Sequence, residues 1–283
     1  GRTLDTITRE VINGGSNVQY GEGQVTGRHL LVGGETTGNH YFTVRAVRKA
    51  VRFLKTMNAP RYEGSYWAII HPDCSYDIQD DPDWKRPHEY KDTSNIYDDE
   101  IGKIAGVRFI ETTEAKVFHA DDLTEGARDL TVKSASGKVL TVNEAITTAD
   151  AAKLAGREVV IGGALLEIES ASAAGAGSAT ITLKEAPATT PAASTAIYPG
   201  EAGAKGRNVY STLIMGAEAY GTTELTGGGL EHIVKPLGSA GTADPLNQRA
   251  TVGWKATKVA ERLVEAYMIR VETTSTFDET PLT

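Results

Sequence analysis

The stretch between Tyr66 and Thr112 decides the fold that we expect. It opens with YWAIIHPDCSYDIQDDPDW (66–84) and closes with EIGKIAGVRFIET (100–112). An apolar segment that runs into His-Pro-Asp is typical of a buried strand followed by the start of a helix. The apolar residues around Gly106 predict a second strand. Neither segment has the pattern of a catalytic motif.

Two helices are predicted on the N-terminal side of this stretch. Residues 4–20 begin with apolar side chains at helical spacing, and Gly14-Gly15 is expected to end that helix. The clearer helix runs from Thr43, a good N-cap, to about Asn58, just before Ala59-Pro60. Its apolar stripe falls at i, i+3, i+7 and i+10 and comprises Val44, Val47, Val51 and Leu54.

The same helix, 43–58, carries five cations with no acid between them in the sequence. These cations are Arg45, Arg48, Lys49, Arg52 and Lys55. Like charges at neighbouring helical positions repel each other by roughly 0.2–0.5 kcal/mol per pair, so such a face favours an anionic partner. Three interpretations stay open: a solvated face, pairing with acids of an adjacent subunit, or contact with nucleic-acid phosphates regardless of base sequence.

The composition of the chain changes near Ala120. Between Ala120 and Gly206 the only aromatic residue is Tyr198, and Ala, Gly, Ser and Thr dominate. Short alternating apolar segments predict strands at LTVKS (130–134), VLTV (139–142), EVVIGG (158–163), LLEIES (165–170) and ATITLKE (179–185). ADAAKLAG (149–156) predicts one short helix between them. We therefore expect a small β-rich inserted domain at 120–206, with a low-complexity linker as the alternative.

The chain after this segment is predicted to hold further strands. NVYSTLIMGAEAYG (208–221) indicates a strand followed by a small helix or a turn, and residues 225–248 are rich in Gly. The last part, 250–274, could form one amphipathic helix. The alternation of apolar and polar residues from Met268 to Glu272 favours strand instead, so we predict two strands there.

Length, charge and cysteine content limit the classes of protein. A compact chain of 283 residues buries roughly 75% of the surface that it exposes when unfolded, and the length suits one large domain or two. With 29 Lys and Arg against 37 Asp and Glu, the net charge of −8 argues against attraction of the whole surface to nucleic acid or anionic lipid. The single cysteine excludes an internal disulfide. The longest apolar run, VVIGGALLEI (159–168), is shorter than the roughly 20 residues of a membrane span, so we expect a soluble protein made inside the cell.

Reactive motifs are absent from the sequence or weak in it. His71 and Cys74 lie three residues apart and would allow a thiol–imidazole pair, but the end of a strand followed by a helix explains them better. Four nearby carboxylates lack the central Gly and terminal Glu of a calcium loop, so a solvated or partner-facing turn is the favoured interpretation. They are Asp77, Asp80, Asp81 and Asp83. We expect no catalytic residue, no metal site and no cofactor.

Six segments together carry a resemblance to a known family. They are LDTITREVINGGSNVQY (4–20), LKTMNAP (54–60), YWAIIHPDCSYDI (66–78), EIGKIAGVRFIET (100–112), VYSTLIMGAEAYG (209–221) and ADPLNQRATVGWK (243–255). In this order they resemble the major capsid proteins of tailed phages of the coliphage N-four type, which adopt the Hong Kong 97-like capsid fold. No single segment is diagnostic, and the shared order is the specific signal.

The resemblance implies an α+β fold of the Hong Kong 97-like kind. The capsid core would comprise residues 1–119 and 207–283. Within that core, a peripheral domain would hold the long spine helix 43–58 and the C-terminal strands. An axial domain would be built around 66–112 and 208–235.

Two features depart from the pattern of the family. Family members carry residues upstream of the Leu4 segment, where the N-terminal arm and the extended loop lie, and we expect that part to be absent here. The segment 120–206 is not part of the minimal fold. Because it interrupts the axial region between two strands, its ends should lie close together. We expect it to project from the shell or to brace neighbouring subunits.

The function that the resemblance implies is that of a structural major capsid protein of a tailed bacteriophage. Copies of the chain would assemble as hexamers and pentamers into an icosahedral shell that encloses double-stranded DNA. The basic helix face would contact the packaged DNA without sequence specificity, and scaffold, portal or decoration proteins are further expected partners, with no membrane. The expected location is the virion capsid, after synthesis in the bacterial host cytoplasm.

Aromatic residues crowd between positions 62 and 97, and some are expected at interfaces between subunits. The interface candidates are Tyr62, Trp84, Tyr90 and Tyr97. The main alternative is a non-viral compartment shell of the same fold that encloses cargo enzymes. A hydrolase or metal enzyme that uses His71, Cys74 or the acidic cluster, and an adhesin-like binding module at 120–206, are further alternatives.

Overall fold

The computed structural model describes residues 2–33, 40–85, 102–223, 231–239 and 248–277. The helices are α1 (Arg2–Asn13), α2 (Val44–Thr56), α3 (Pro72–Asp80) and α4 (Thr148–Leu154). The strands are β1 (Val18–Tyr20), β2 (Tyr66–Ile70), β3 (Lys103–Ile104), β4 (Val107–Glu111), β5 (Val117–Phe118), β6 (Leu130–Ser136), β7 (Val139–Val142), β8 (Glu158–Ile161), β9 (Ala164–Ser172), β10 (Thr180–Leu183), β11 (Ala196–Pro199), β12 (Val209–Met215), β13 (Tyr220–Thr223), β14 (Glu231–Lys235), β15 (Thr251–Lys255), β16 (Val259–Arg262) and β17 (Met268–Thr273). No helix in the described ranges is long and apolar enough to span a membrane.

The described residues form one seven-stranded sheet that joins the two ends of the chain. Its order is β1-β17-β12-β2-β4-β3, and β5 pairs with β12 off this path. The pairs β1–β17 and β2–β4 are parallel, and the other pairs are antiparallel. Strands that the resemblance would place in an axial part (β2, β12) and in a peripheral part (β17) are therefore neighbours in one sheet. We call this sheet with its helices the sheet region.

Helix α2 covers one face of the sheet region, as its sequence pattern predicts. The Thr43 hydroxyl accepts a hydrogen bond from the Ala46 amide at 3.2 Å and so caps the first turn. The four residues of the predicted stripe are buried, and so are Ala46 and Ala50 on the same side. This face packs towards β12 and β17 in a cluster that also contains Phe42 and Tyr66. The helix prediction is confirmed, with observed bounds of 44–56.

The predicted strand, corner and helix at 66–80 are also present. Strand β2 ends at Ile70, and His71 caps α3 by accepting a hydrogen bond from the Asp73 amide through Nδ1 at 3.3 Å. Pro72 occupies the first turn of α3, where its missing N–H costs no hydrogen bond. The second predicted strand is β4, which pairs in parallel with β2.

Residues 130–199 form a closed barrel with its own core. The strand order is β10-β7-β6-β11-β8-β9, and neighbouring strands are antiparallel. All the buried side chains of this core are aliphatic, and they include Leu140, Ile168 and Ile181 at 0% exposure. Helix α4 begins with a capping box in which Thr147 and Asp150 bond each other's amide groups. The five predicted strands and the short helix are thus present, and a low-complexity linker is not.

The chain enters and leaves the barrel on two adjacent strands. Val209 in β12 pairs with Phe118 in β5, and Tyr210 pairs with Val117. The predicted closeness of the two ends of the segment is therefore observed. Strand β12 then continues through the middle of the sheet region, where all seven of its residues are buried.

The C-terminal part is built from strands. Strand β13 pairs with β16, and β14 pairs with β15. Residues 250–274 contain β15, β16 and β17, so strand is the right choice over a helix, although there are three strands and not two. Strand β14 lies within the Gly-rich segment 225–248, for which the sequence predicted no strand.

Candidate functional site

The basic face of α2 is the main site that the sequence singles out. All five cations are exposed, because the opposite side of the helix is buried against the sheet. The face therefore exists as a surface. Its charge balance, however, depends on acids that come from other parts of the chain.

Three of the five cations have partners within the chain. Glu22 lies 3.4 Å from Arg45, and the Lys49 ammonium donates to the carbonyl oxygen of Glu22. Arg48 pairs loosely with Asp83 at 3.9 Å. These acids lie more than twenty residues away in the sequence, so no local pattern could have revealed them.

The remaining cations, Arg52 and Lys55, form no salt bridge with another residue that the structure describes. They border an open depression of about 560 Å³, which is also lined by Arg48, Thr56 and Ala105. The unpaired positive charge is therefore concentrated on the C-terminal half of α2. Among the described residues, Arg52 and Lys55 therefore have no salt bridge, and Lys49 contacts a carbonyl oxygen but no acidic side chain.

The predicted interface aromatics fall into different environments. Tyr62 is 56% exposed, and its ring lies 6.3 Å from that of Trp67. Trp84 is only 6% exposed and belongs to the core under α2, so its surface is used within the chain. Tyr90 and Tyr97 lie outside the described residues.

A buried ion cluster in the sheet region was not predicted from the sequence. The Glu272 side chain is fully buried, and its carboxylate accepts hydrogen bonds from Arg28 at 2.7 and 2.9 Å and from Arg270 at 2.7 Å. The Arg28 guanidinium also lies 3.4 Å from the centre of the Phe118 ring. The two arginines and the buried carboxylate, together with the aromatic ring on which Arg28 stacks, link β17, β5 and the turn at 28–30.

A second polar cluster lies where the barrel joins the sheet region. Arg157 pairs with Glu201 at 2.6 Å and also donates to the backbone carbonyl of Asp122 at 2.8 Å. Arg28 donates to the carbonyl of Glu201 at 3.3 Å. These bonds tie the two ends of the barrel segment to each other and to the turn at 28–30.

The candidate thiol–imidazole pair serves a structural purpose. Burial raises the pKa of the Cys74 thiol, which lies 3.6 Å from the Thr273 hydroxyl, so the thiol stays protonated. Burial also lowers the pKa of His71, whose Nδ1 caps α3. A protonated, fully buried thiol is a poor nucleophile.

The four candidate calcium carboxylates are engaged in hydrogen bonds or ion pairs within the chain. Asp81 accepts a hydrogen bond from the Val44 amide at the start of α2 at 2.9 Å, and Asp80 pairs with Lys85. Asp77 accepts from the Thr276 hydroxyl, and burial raises the pKa of this carboxyl. Within the described ranges, no group of three or more His, Cys, Asp or Glu side chains is arranged to hold a metal ion.

Comparison with solved structures finds phage capsid proteins, with low sequence identity and TM-scores below 0.5. The capsid of cyanophage P-SCSP1u matches with a TM-score of 0.49 and 12% identity over 97% of this chain. The capsid of Helicobacter pylori bacteriophage KHP30 matches with a TM-score of 0.47 and 9% identity over 96% of this chain. The chain spans 62% of the first protein and 66% of the second, which is under two thirds of each.

Comparison with sequences is more decisive. A search of curated proteins found no match to the chain. A family model described as phage capsid protein, however, matches residues 4–223. That range covers more than three quarters of the 283 residues and includes α2, most of the sheet region and the whole barrel. The chain therefore belongs to the phage capsid protein family, which confirms the sequence-based prediction of a structural capsid protein.

Proposed function

We propose that the chain is the major capsid protein of a tailed bacteriophage, and that its copies assemble into an icosahedral shell around double-stranded DNA. The observation that carries this proposal is the family match across residues 4–223. Hexamers and pentamers of the chain would build the shell, and scaffold, portal or decoration proteins would join it. Many modest contacts, repeated over a closed shell, give a stable particle through multivalency.

We propose further that the fold is of the Hong Kong 97-like kind and the phage of the coliphage N-four type. The capsid core would then be residues 1–119 and 207–283, which contain the sheet region. Because β12 and β17 are hydrogen-bonded neighbours, the boundary between peripheral and axial parts would run through this one sheet. The support for this finer assignment is the order of the six sequence segments.

The barrel would be an inserted domain at 120–206. It has its own aliphatic core, and the chain enters and leaves it on the paired strands β5 and β12. In a shell it would project from the surface or brace neighbouring subunits. Replacing residues 120–206 by a short linker tests the bracing role. Unchanged particle yield and heat stability would contradict bracing, and less stable particles would support it.

The C-terminal half of α2 is our candidate for DNA contact. Arg52 and Lys55 are exposed, and neither is paired with another residue in the described ranges, whereas Arg45 and Arg48 already have acidic partners. Phosphate contacts of this kind are independent of base sequence and weaken as salt rises. The overall charge of −8 makes such a local patch the only kind of surface on which this contact is expected.

A paired set of variants tests this contact. When the logarithm of the DNA-binding constant is plotted against the logarithm of the salt concentration, we expect the double variant Arg52→Gln/Lys55→Gln to give a line that is less steep by about 2. Each phosphate contact contributes about 0.9 to this slope. The matched control is Arg45→Gln with Arg48→Gln on the same helix, where we expect a smaller change. Equal slopes for wild type and the Arg52–Lys55 variant would contradict DNA contact at this end.

The shell itself is tested by electron microscopy of the purified protein. We expect closed shells or capsomer rings, with nuclease-protected DNA in particles isolated from infected cells. Shells that contain cargo enzymes and no DNA would favour a non-viral compartment. A monodisperse monomer at high concentration would contradict the proposal.

A further inference from the structure

The ribbon formed by β14 and β15 has one strongly apolar face. In an antiparallel pair, residues directly opposite each other point to the same side, and sides alternate along the strand. Val234 pairs with Val252, and His232 pairs with Trp254, so these four side chains share one side. We call them the apolar ribbon face.

The opposite side of the ribbon carries its charges. Glu231 pairs with Lys255, and Lys235 pairs with Thr251. Ile233 also lies on this side, opposite Gly253. The ribbon is therefore amphipathic, with its charges confined to one side and its aromatic residue on the other.

The apolar ribbon face is largely exposed, and no core cluster of the described residues covers it. Val252 is 71% exposed, Trp254 62% and Val234 54%. None of them belongs to a core cluster of the described residues. A two-stranded hairpin that packs against nothing is marginally stable in water, so this ribbon needs a surface to pack on.

The sheet of the same chain carries a second apolar surface that is only partly exposed, because Trp67 and Ile69 are half-buried against a core cluster that contains Ile12. The pairs Trp67–Arg108 and Ile69–Ile110 place these four side chains on one face of β2 and β4. Ile110 is 47% exposed, and Tyr62, beside Trp67, is 56% exposed. We call Tyr62, Trp67, Ile69 and Ile110 the sheet patch. An open groove of about 460 Å³ reaches Ile69 beside α1.

We infer that the apolar ribbon face of one copy packs against the sheet patch of the next copy, an inference that rests on the proposed shell. Two different apolar surfaces on one chain fit a head-to-tail contact, which closes into rings when the rotation between copies closes. Aromatic and aliphatic side chains at the centre with charges at the margin are the usual anatomy of a protein interface. A nucleic-acid partner would require cations on this face, and the cations of the ribbon lie on the other side.

Cross-linking in assembled particles tests the contact directly. Because Cys74 is fully buried, a benzophenone maleimide will label the introduced thiol of Val252→Cys and leave the native one unlabelled. We expect cross-links from position 252 to residues of the sheet patch on another copy, seen as dimers and located by mass spectrometry. Ile233→Cys, on the opposite side of the same ribbon, is the control and should give few such dimers.

Assembly yield provides the second measurement. Trp254→Ser should lower the yield of shells by about tenfold, since a central aromatic anchor carries much of an interface's affinity, while Ile233→Ser should change it by less than about twofold. Circular dichroism of both subunits checks that their folds are retained. Normal shells from Trp254→Ser, or cross-links to the labelled chain itself or to another protein, would overturn the inference while leaving the shell proposal intact. A wild-type chain that forms no shells would overturn both.

Discussion

The sheet region and the barrel are stabilised in different ways. The sheet region joins strands from opposite ends of the chain, such as β1 and β17, and it buries the charged Glu272 between two arginines. The barrel is built from a single continuous stretch, 130–199, and its core is purely aliphatic. The contrast teaches that the core of a local segment can be wholly aliphatic, whereas the long-range pairing of the sheet region is accompanied by a buried ion cluster.

The largest expected effect comes from breaking the buried ion cluster. Glu272→Ala leaves Arg28 and Arg270 without their shared anion in a largely buried site, so we expect the free energy of unfolding of the sheet region to fall by about 3–5 kcal/mol. This loss of stability can be measured by urea unfolding followed by tryptophan fluorescence. The signal excludes the barrel, because all three Trp residues lie outside it.

The control for this prediction is an exposed ion pair in the barrel. Glu167 and Lys184 are bonded to each other, with side chains 40% and 53% exposed. Glu167→Ala should cost less than about 1 kcal/mol, since water screens such pairs. If Glu272→Ala and Glu167→Ala lower the free energy of unfolding by the same amount, the prediction that the buried ion cluster contributes more stability is wrong.

A cavity in the barrel should give the next largest effect, and it should stay local. Leu140 is fully buried, and Leu140→Ala removes three carbon atoms from an aliphatic core, which costs about 2–5 kcal/mol. We expect the barrel to unfold at lower temperature while the sheet region melts as in wild type. Calorimetry resolves the two transitions. Val139→Ala, at the neighbouring position that is 40% exposed, is the matched control.

A smaller effect is expected from pH, again within the barrel. The hydrogen bond from the Thr147 hydroxyl lowers the pKa of Asp150, so this carboxylate stabilises the folded state at neutral pH. A lowered pKa means that the stabilisation is present above the unfolded value of about 3.9 and is lost as pH falls through the folded value. Wild type should therefore lose its stability advantage over Asp150→Asn below about pH 4. A constant difference in barrel melting temperature from pH 7 to pH 3 would contradict this.

Local patterns in the sequence predicted much of this architecture. The Val44, Val47, Val51 and Leu54 stripe predicted α2, because one turn of helix brings those positions to the same side. The alternation of apolar residues likewise predicted five of the six barrel strands, and it missed β11 (Ala196–Pro199). Both patterns lie within short segments, so no knowledge of distant residues was required.

Contacts between distant residues could not be predicted from the sequence. Glu272 meets Arg28 across 244 positions, and Glu22 meets Arg45 only because the chain folds back over α2. Trp84, predicted as an interface candidate, is buried in the core, since burial depends on how α3 and α2 pack and not on local spacing. The ribbon was missed because β14 lies in a Gly-rich segment that has no strong alternation.

The pairing of β5 with β12 has a consequence for how such a chain can change over time. Phe118 and Val209 face each other across one strand spacing, roughly 5 Å, while the whole barrel lies between them in sequence. The entropic cost of closing a loop grows only slowly with its length. This strand pair is therefore a position at which the chain could exchange one module for another of different size, provided that the two ends of the new module lie side by side.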